Sequence, residues 1–295
     1  MTQRQRNALY GYMFIAIWLV GFVLLTLYPL IQSFVFSVSD VSITGAEGIL
    51  TDFIGFEHYV RIVTTDVNFI DALIRYLTEM VLYVPIILIL SMMIALMLNQ
   101  DIRLRGFFRA VFFLPVIIVS GPVINELMNQ GAGSIPLIER YGMIETLQST
   151  LPSFLANPLS RLLTEMIKIL WFSGVQIVLF LAGIQKLPTE VYEAAKVDGA
   201  TPWETFWKIT LPSLRNIMVV ASIYTIVTLS TFSNNEILIR IRQLMFSAEG
   251  GYGYASAMAW LYFMIIAVML IITTVVIAPK EKRVTRKRGM RRGHH

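Results

Sequence analysis

Long apolar runs separated by short polar segments fill nearly the whole chain. A helix needs about 20 mostly apolar residues to cross a bilayer. Six runs meet that length and predict six membrane helices, over residues 10–36, 75–98, 106–128, 161–186, 214–234 and 254–278. Pro29, Pro85, Pro115, Gly121 with Pro122, and Gly174 fall inside these runs. Such residues persist in membrane helices where neighbours satisfy the freed backbone groups, so a packed bundle is expected. The first run follows Arg4 and Arg6 in the manner of a secretory leader. It is longer than a leader's apolar core and no small-residue cleavage site follows, so it is expected to remain as an anchor.

Composition agrees with that pattern. The chain of 295 residues is 56% hydrophobic and 15% charged, with a mean hydropathy of +0.67. A large soluble protein needs more polar residues to face water. There is no cysteine, which excludes disulfides, thiolate metal sites and a cysteine nucleophile. The histidines are His58 and a terminal pair, His294 and His295, that reads as a tag remnant. No metal site and no cofactor are therefore expected in this chain.

The placement of charge orients the spans. Segments expected inside the cell carry 17 Lys and Arg residues, against 6 in the other three loops. By the positive-inside rule both termini lie in the cytoplasm. The segment between spans four and five lies there too. The first outer loop, 37–74, is acidic, with Asp40, Glu47, Asp52, Glu57, Asp66 and Asp71. The basic tail, 279–295, reads as a solvated cytoplasmic segment near anionic lipid rather than a nucleic-acid arm. The expected organisation is a short N-terminus (1–9), a six-helix transmembrane domain (10–278) with a cytoplasmic loop at 188–212, and the tail.

That loop is the most informative stretch; its core, 193–212, reads EAAKVDGATPWETFWKITLP. Helix formers run from Glu190 to Val197 after Pro188, and Gly199 offers the left-handed residue that ends a helix. Thr201, Pro202 and Glu204 then spell an N-cap, a first-turn proline and a capping box for a second short helix over 202–209. A rigid helix–turn–helix knob follows. A plain connector between two spans needs no such length of polar chain.

On these residues the chain resembles the binding-protein-dependent permeases of ABC importers. Glu193, Ala194, Ala195, Asp198, Gly199, Ala200, Phe206, Ile209, Leu211 and Pro212 fall on the family's loop motif. The resemblance implies that the loop docks into a cleft of an ATP-binding subunit, with Glu193 as the acidic contact and Gly199 as the turn. Leu27-Tyr28-Pro29, FIGFEHY at 53–59, RGFFRAVFFLP at 105–115, Trp171 with Gly174, AGIQ at 182–185 and the 253–260 segment resemble the sugar-importing subgroup. Its maltose-transporter-like first permease is the nearest pattern. Ser247–Gly253 departs from the family's usual turn before the last span. The implied fold class is an all-α integral membrane protein, a six-span type I importer permease bundle.

The chain has no G-x-x-x-x-G-K-[ST], so it cannot cradle ATP phosphates, and neither H-E-x-x-H nor G-x-S-x-G occurs. A non-catalytic subunit is expected, with ATP and magnesium bound by a partner. The implied partners are a second, non-identical permease, two ATP-binding subunits, an extracytoplasmic solute-binding protein and membrane lipid, and no nucleic acid. The implied location is a bacterial or archaeal cytoplasmic (inner) membrane. Alternatives are an ABC permease for a non-sugar solute, or an ion-coupled secondary transporter using Glu79, Glu126 or Glu165.

Polar groups inside spans are costly and mark cavities or neighbours. Glu79, Asn125, Glu126, Glu165, Lys168, Gln176, Asn234 and Asn235 are such groups. Lys168, Trp171 and Phe172 form one candidate solute site, since a flat ring suits a sugar and a polar tip fixes hydroxyls. The resemblance points to the same region and adds Tyr224, Thr225, Asn234 and Asn235. Packing aromatics offer a plainer reading. A free Lys168 would favour an anionic sugar, but Glu165 three residues earlier can neutralise it.

Overall fold

A computed structural model describes residues 3–44, 48–100, 106–107, 126, 141–232, 234–247 and 250–278. The predicted third span lies almost wholly outside these residues, as do Asn125 and the basic tail. The first span comprises α1 (Gln3–Phe22), a five-residue π turn (Val23–Leu27) and α2 (Tyr28–Ser37). In the π turn the Tyr28 N–H reaches back five residues to Val23 O. Pro29 follows at once. Proline brings no N–H and crowds the preceding turn, and a wider turn relieves that crowding.

The acidic loop after α2 is more ordered than its composition predicts. Strands β1 (Ser39–Thr44) and β2 (Gly48–Phe53) pair antiparallel, Ser39 opposite Phe53 and Thr44 opposite Gly48. A short helix, α3 (Glu57–Thr65), leads into α4 (Val67–Asn99), which starts eight residues before the predicted second span. Asp66 caps α4 through the Phe69 N–H at 3.0 Å. Buried residues recur every three or four positions along α4, from Phe69 through Tyr76, Met80, Ile87 and Ser91 to Leu98. That spacing gives one inward stripe, against which the remaining helices pack.

The predicted fourth span is not one helix. After α5 (Met143–Thr150) the chain forms α6 (Ser153–Thr164), α7 (Met166–Phe172) and α8 (Gly174–Ile184), interrupted at Glu165 and Ser173. Ser173 Oγ donates to Leu170 O at 2.6 Å, and Ser91 Oγ donates to Ser173 O. A Ser–Gly pair that diverts backbone groups in this way is an ordinary cause of a break.

Helix α9 (Thr189–Val197) and α10 (Pro202–Ser213) form the helix–turn–helix, and α11 (Arg215–Ser230) departs from α10 at 67°. Helix α10 runs beyond its predicted end at 209 through a second π turn, Phe206–Thr210, again just before a proline-containing pair, Leu211 and Pro212. Helix α11 ends four residues short of the predicted fifth span. The outer connection after it is itself a helix, α12 (Glu236–Met245), before α13 (Gly251–Ile277). Among the described residues three helical spans, Tyr10–Ser37, Val67–Asn99 and Gly251–Ile277, are long and apolar enough to cross a membrane, and α11 passes the same test of length and composition only when taken together with α10, across the 67° bend.

Candidate functional site

Two regions lie toward opposite ends of α4, whose 33 residues span about 50 Å. Near Asn99 is the helix–turn–helix, and around Ala72–Tyr83 is a polar cavity.

The helix–turn–helix is fixed by local chemistry. Gly199 takes φ +76°, its N–H reaches Lys196 O at 3.1 Å, and the Ala200 N–H reaches Ala195 O at 2.9 Å. This pair of bonds closes the end of α9 in a Schellman arrangement. At the start of α10 the Glu204 N–H donates to Thr201 Oγ1 (3.2 Å) while the Thr201 N–H donates to Glu204 Oε2 (3.0 Å). Lys208 Nζ pairs with Glu204 Oε1 at 3.2 Å. The Thr201 backbone and side-chain bonds, with Lys208, pull the Glu204 carboxyl down to about 2. Tyr192 and Thr210 bond hydroxyl to hydroxyl at 3.1 Å, locking α9 against α10.

The predicted motif residues divide by face. Ala195 is buried, Phe206 packs against the core, and Ala200 and Ile209 are half-buried. Glu193, Ala194, Asp198, Gly199 and Pro212 are exposed, as are Trp203 and Trp207, two aromatics the motif did not single out. Glu193, Asp198 and Glu190 give the outer surface of α9 its acid.

The cavity at the other end holds about 220 Å³ and is lined by Arg75, Tyr76, Glu79, Lys168, Phe172, Asn234, Asn235 and Glu236 among others. Arg75 pairs with Glu236 at 3.2 Å and Lys168 with Glu165. Phe172 meets Phe232 edge to face. Asn235 is held from three sides. Its Nδ2 donates to Tyr262 OH at 2.8 Å and to Ser230 O at 3.3 Å, and its Oδ1 caps α12 through the Ile237 N–H. A second compartment, about 570 Å³, adjoins through Glu79, Tyr83 and Glu165 and adds Gln148, Asn157, Ser160 and Thr164.

Of the predicted solute residues, Lys168, Phe172, Asn234 and Asn235 come together here. Trp171, Tyr224 and Thr225 do not line the cavity. Thr225 turns into the bundle, accepting from Gln176 Nε2 at 2.7 Å and donating to Ala221 O. Tyr224, one position round the helix, is exposed, and Trp171 is half-buried. Sequence reasoning passed over Arg75, Tyr76, Ser160 and Glu236. Arg75 entered only the charge count, and Ser160 bore no motif.

The fold is that of an ABC importer permease. The chain matches a subunit of a bacterial alginate ABC transporter, solved with an alginate pentasaccharide-bound periplasmic protein, at a TM-score of 0.59 and 18% identity, covering 92% of this chain and 94% of that one. Residues 66–279 match the family described as binding-protein-dependent transport system inner membrane component, and the chain belongs to that family. It is 27% identical over 283 residues to the probable ABC transporter permease protein YesP of Bacillus subtilis, covering 91% of this chain and 90% of YesP. It is 28% identical over 287 residues to the multiple sugar-binding transport system permease protein MsmF of Streptococcus mutans, covering 90% and 94%. The chain is thus a non-catalytic inner-membrane permease subunit.

Proposed function

We propose that this chain forms half of the translocation pathway of an ATP-driven, binding-protein-dependent importer of a sugar or oligosaccharide. A second permease, two ATP-binding subunits and an extracytoplasmic solute-binding protein complete the assembly. The carrying observation is the doubly capped helix–turn–helix at the end of the bundle remote from the polar cavity. A rigid knob with an acidic outer surface transmits force only if something grips it, and the chain itself has no phosphate-binding loop. On this reading α9 and α10 dock in the cytoplasm into the ATP-binding subunit, through Glu193, Ala194, Asp198 and Gly199. ATP and magnesium act there. Ala195, Phe206, Ile209 and Pro212 carry the motion into α11. The cavity, with Phe172 and the amides of Asn234 and Asn235, receives solute between the two permeases.

Sugar as the solute class is supported by MsmF, named for multiple-sugar transport, and by the alginate transporter that shares the fold. The test is ATP hydrolysis by the complete transporter in proteoliposomes, screened with saccharides, amino acids, polyamines and phosphate. Stimulation by a saccharide supports the reading. Stimulation only by a non-sugar solute refutes the sugar assignment.

A further inference from the structure

Independently of the solute, we propose that α3 is an amphipathic interface helix lying in the headgroup layer of the bilayer at the hairpin end of the bundle. Lipid covers its apolar face and water its polar face. The first support is the division of α3 into three faces at helical spacing. His58 and Ile62, four apart, are buried in the bundle. Phe56, Val60 and Val63 are 71%, 59% and 61% exposed. Their spacings of four and three put them on one stripe. Glu57, Arg61 and Thr65, again four apart, are exposed on a third side. A helix on the flank of a membrane protein at the water boundary meets protein, lipid and water at once and needs three such faces. A helix whose free side is all in water gains nothing from an exposed apolar stripe.

The second support is depth, which is read on α13, the helix against which α3 packs. The hydrocarbon core is about 30 Å thick, or about 20 helical residues. Counted from Ile277, beside the basic tail, that length of α13 reaches Met258, and Tyr254 stands one turn farther out. His58 meets the Tyr254 ring edge to face, the Arg61 guanidinium sits over it at 5.0 Å, and the Tyr254 hydroxyl donates to Asp66 Oδ2 at 3.1 Å. These contacts hold α3 about 6 Å beyond the hydrocarbon, the level at which interfacial helices lie and tyrosines collect. The apolar stripe also continues inward. Val67 opens α4 and is exposed, and Ile74 and Val81 follow, exposed, at intervals of seven that keep them on nearly one side. Tyr76 of α4 meets Tyr262 of α13 inside the counted limit, so Val81, deeper still, is within the hydrocarbon. Bilayer lipid covers Val81 there, and the same lipid reaches Val60 and Val63 along an unbroken line.

The experiment places a nitroxide at Val60, Val63, Glu57 and Thr65 in turn, through a single cysteine in a chain that has none of its own. The transporter, with cysteine-free partner subunits, is reconstituted in bilayers of phosphatidylethanolamine and phosphatidylglycerol. Power saturation compares collisions with oxygen, which concentrates in lipid, and with a nickel chelate, which stays in water. Nitroxides on Val60→Cys and Val63→Cys are expected to favour oxygen, at a depth of about 5–10 Å into the boundary. Those on Glu57→Cys and Thr65→Cys are expected to favour nickel. Nickel favoured at all four positions puts α3 in water and overturns the inference. Collision with neither agent at Val60→Cys and Val63→Cys puts a protein partner on the stripe and overturns it too. Oxygen favoured at all four sinks α3 into the hydrocarbon and overturns its place at the interface.

Discussion

Asp66 holds three helices with one carboxylate, and its removal gives the sharpest test of how the bundle is held at the hairpin end. Oδ1 accepts from the Phe69 N–H at 3.0 Å and from Arg240 at 2.5 Å, and Oδ2 accepts from Tyr254 OH at 3.1 Å. These bonds join the start of α4 to α12 and α13. The Asp66 side chain is 7% exposed and that of Arg240 is 29% exposed. Losing the cap costs about 1 kcal/mol. Losing the tyrosine bond costs about 1 kcal/mol more. Stranding Arg240, whose Nε already lacks a partner, adds about 1–2 kcal/mol after allowance for its partial exposure. Asp66→Ala should therefore destabilise by about 3–4 kcal/mol. Asp66→Asn, which keeps the cap and an acceptor, should lose about half of that. Thermal unfolding of the transporter in nanodiscs should rank wild type above Asn and Asn above Ala. Adding Arg240→Met to Asp66→Ala should recover part of the loss, because the stranded charge is gone. An alanine variant as stable as wild type, or a double variant that loses the two effects additively, would refute the reasoning.

Other predictions are narrower. A Cβ on Gly253 would sit 2.3 Å from Ser39 O, a backbone atom, whereas one on Gly183 would meet the flexible Ile217 Cδ1; Gly253→Ala should cost about 3 kcal/mol and Gly183→Ala clearly less, read as unfolding midpoints. The Glu204 carboxyl is lowered from 4.5 to about 2, so its contribution is fully present above pH 4.5 and is lost as pH falls toward 2. Protection factors of the α10 amides, which take out the pH dependence of the intrinsic exchange rate, should fall over that window, and a flat profile would contradict the capping assignment. Trp171 lies off the cavity and Phe172 on it; Trp171→Ala should leave solute-stimulated ATPase activity within about twofold of wild type, while Phe172→Ala should raise the solute concentration needed.

The helix–turn–helix was legible because its determinants are local. Thr201, Pro202, Glu204 and Gly199 each act within four residues, so their spacing alone predicts the caps that are present. The fourth span was misread because hydropathy averages over a window and cannot see Ser173 diverting its hydroxyl to Leu170 O. Both π turns were missed, although each precedes a proline by one residue. The hairpin had a signal: V-S-I-T alternates and G-A-E-G follows as a turn, but acidic residues read first as solvated loop. In the cavity, Arg75 and Glu236 lie 161 positions apart in sequence, and only the packing of α12 against α4 brings them to 3.2 Å. The resemblance names Tyr224 and Thr225 together as polar choices in the fifth span, yet neighbours on a helix point about 100° apart.

The most direct measurement is uptake of labelled saccharide by proteoliposomes holding the complete transporter, with the solute-binding protein on the entry side and ATP on the other. Wild type is compared with Glu193→Arg, which reverses the charge on the exposed surface of α9. The account predicts ATP-dependent uptake that falls at least about tenfold in Glu193→Arg while the subunit stays in the membrane. Uptake that proceeds without ATP, or that survives the reversal undiminished, would contradict it.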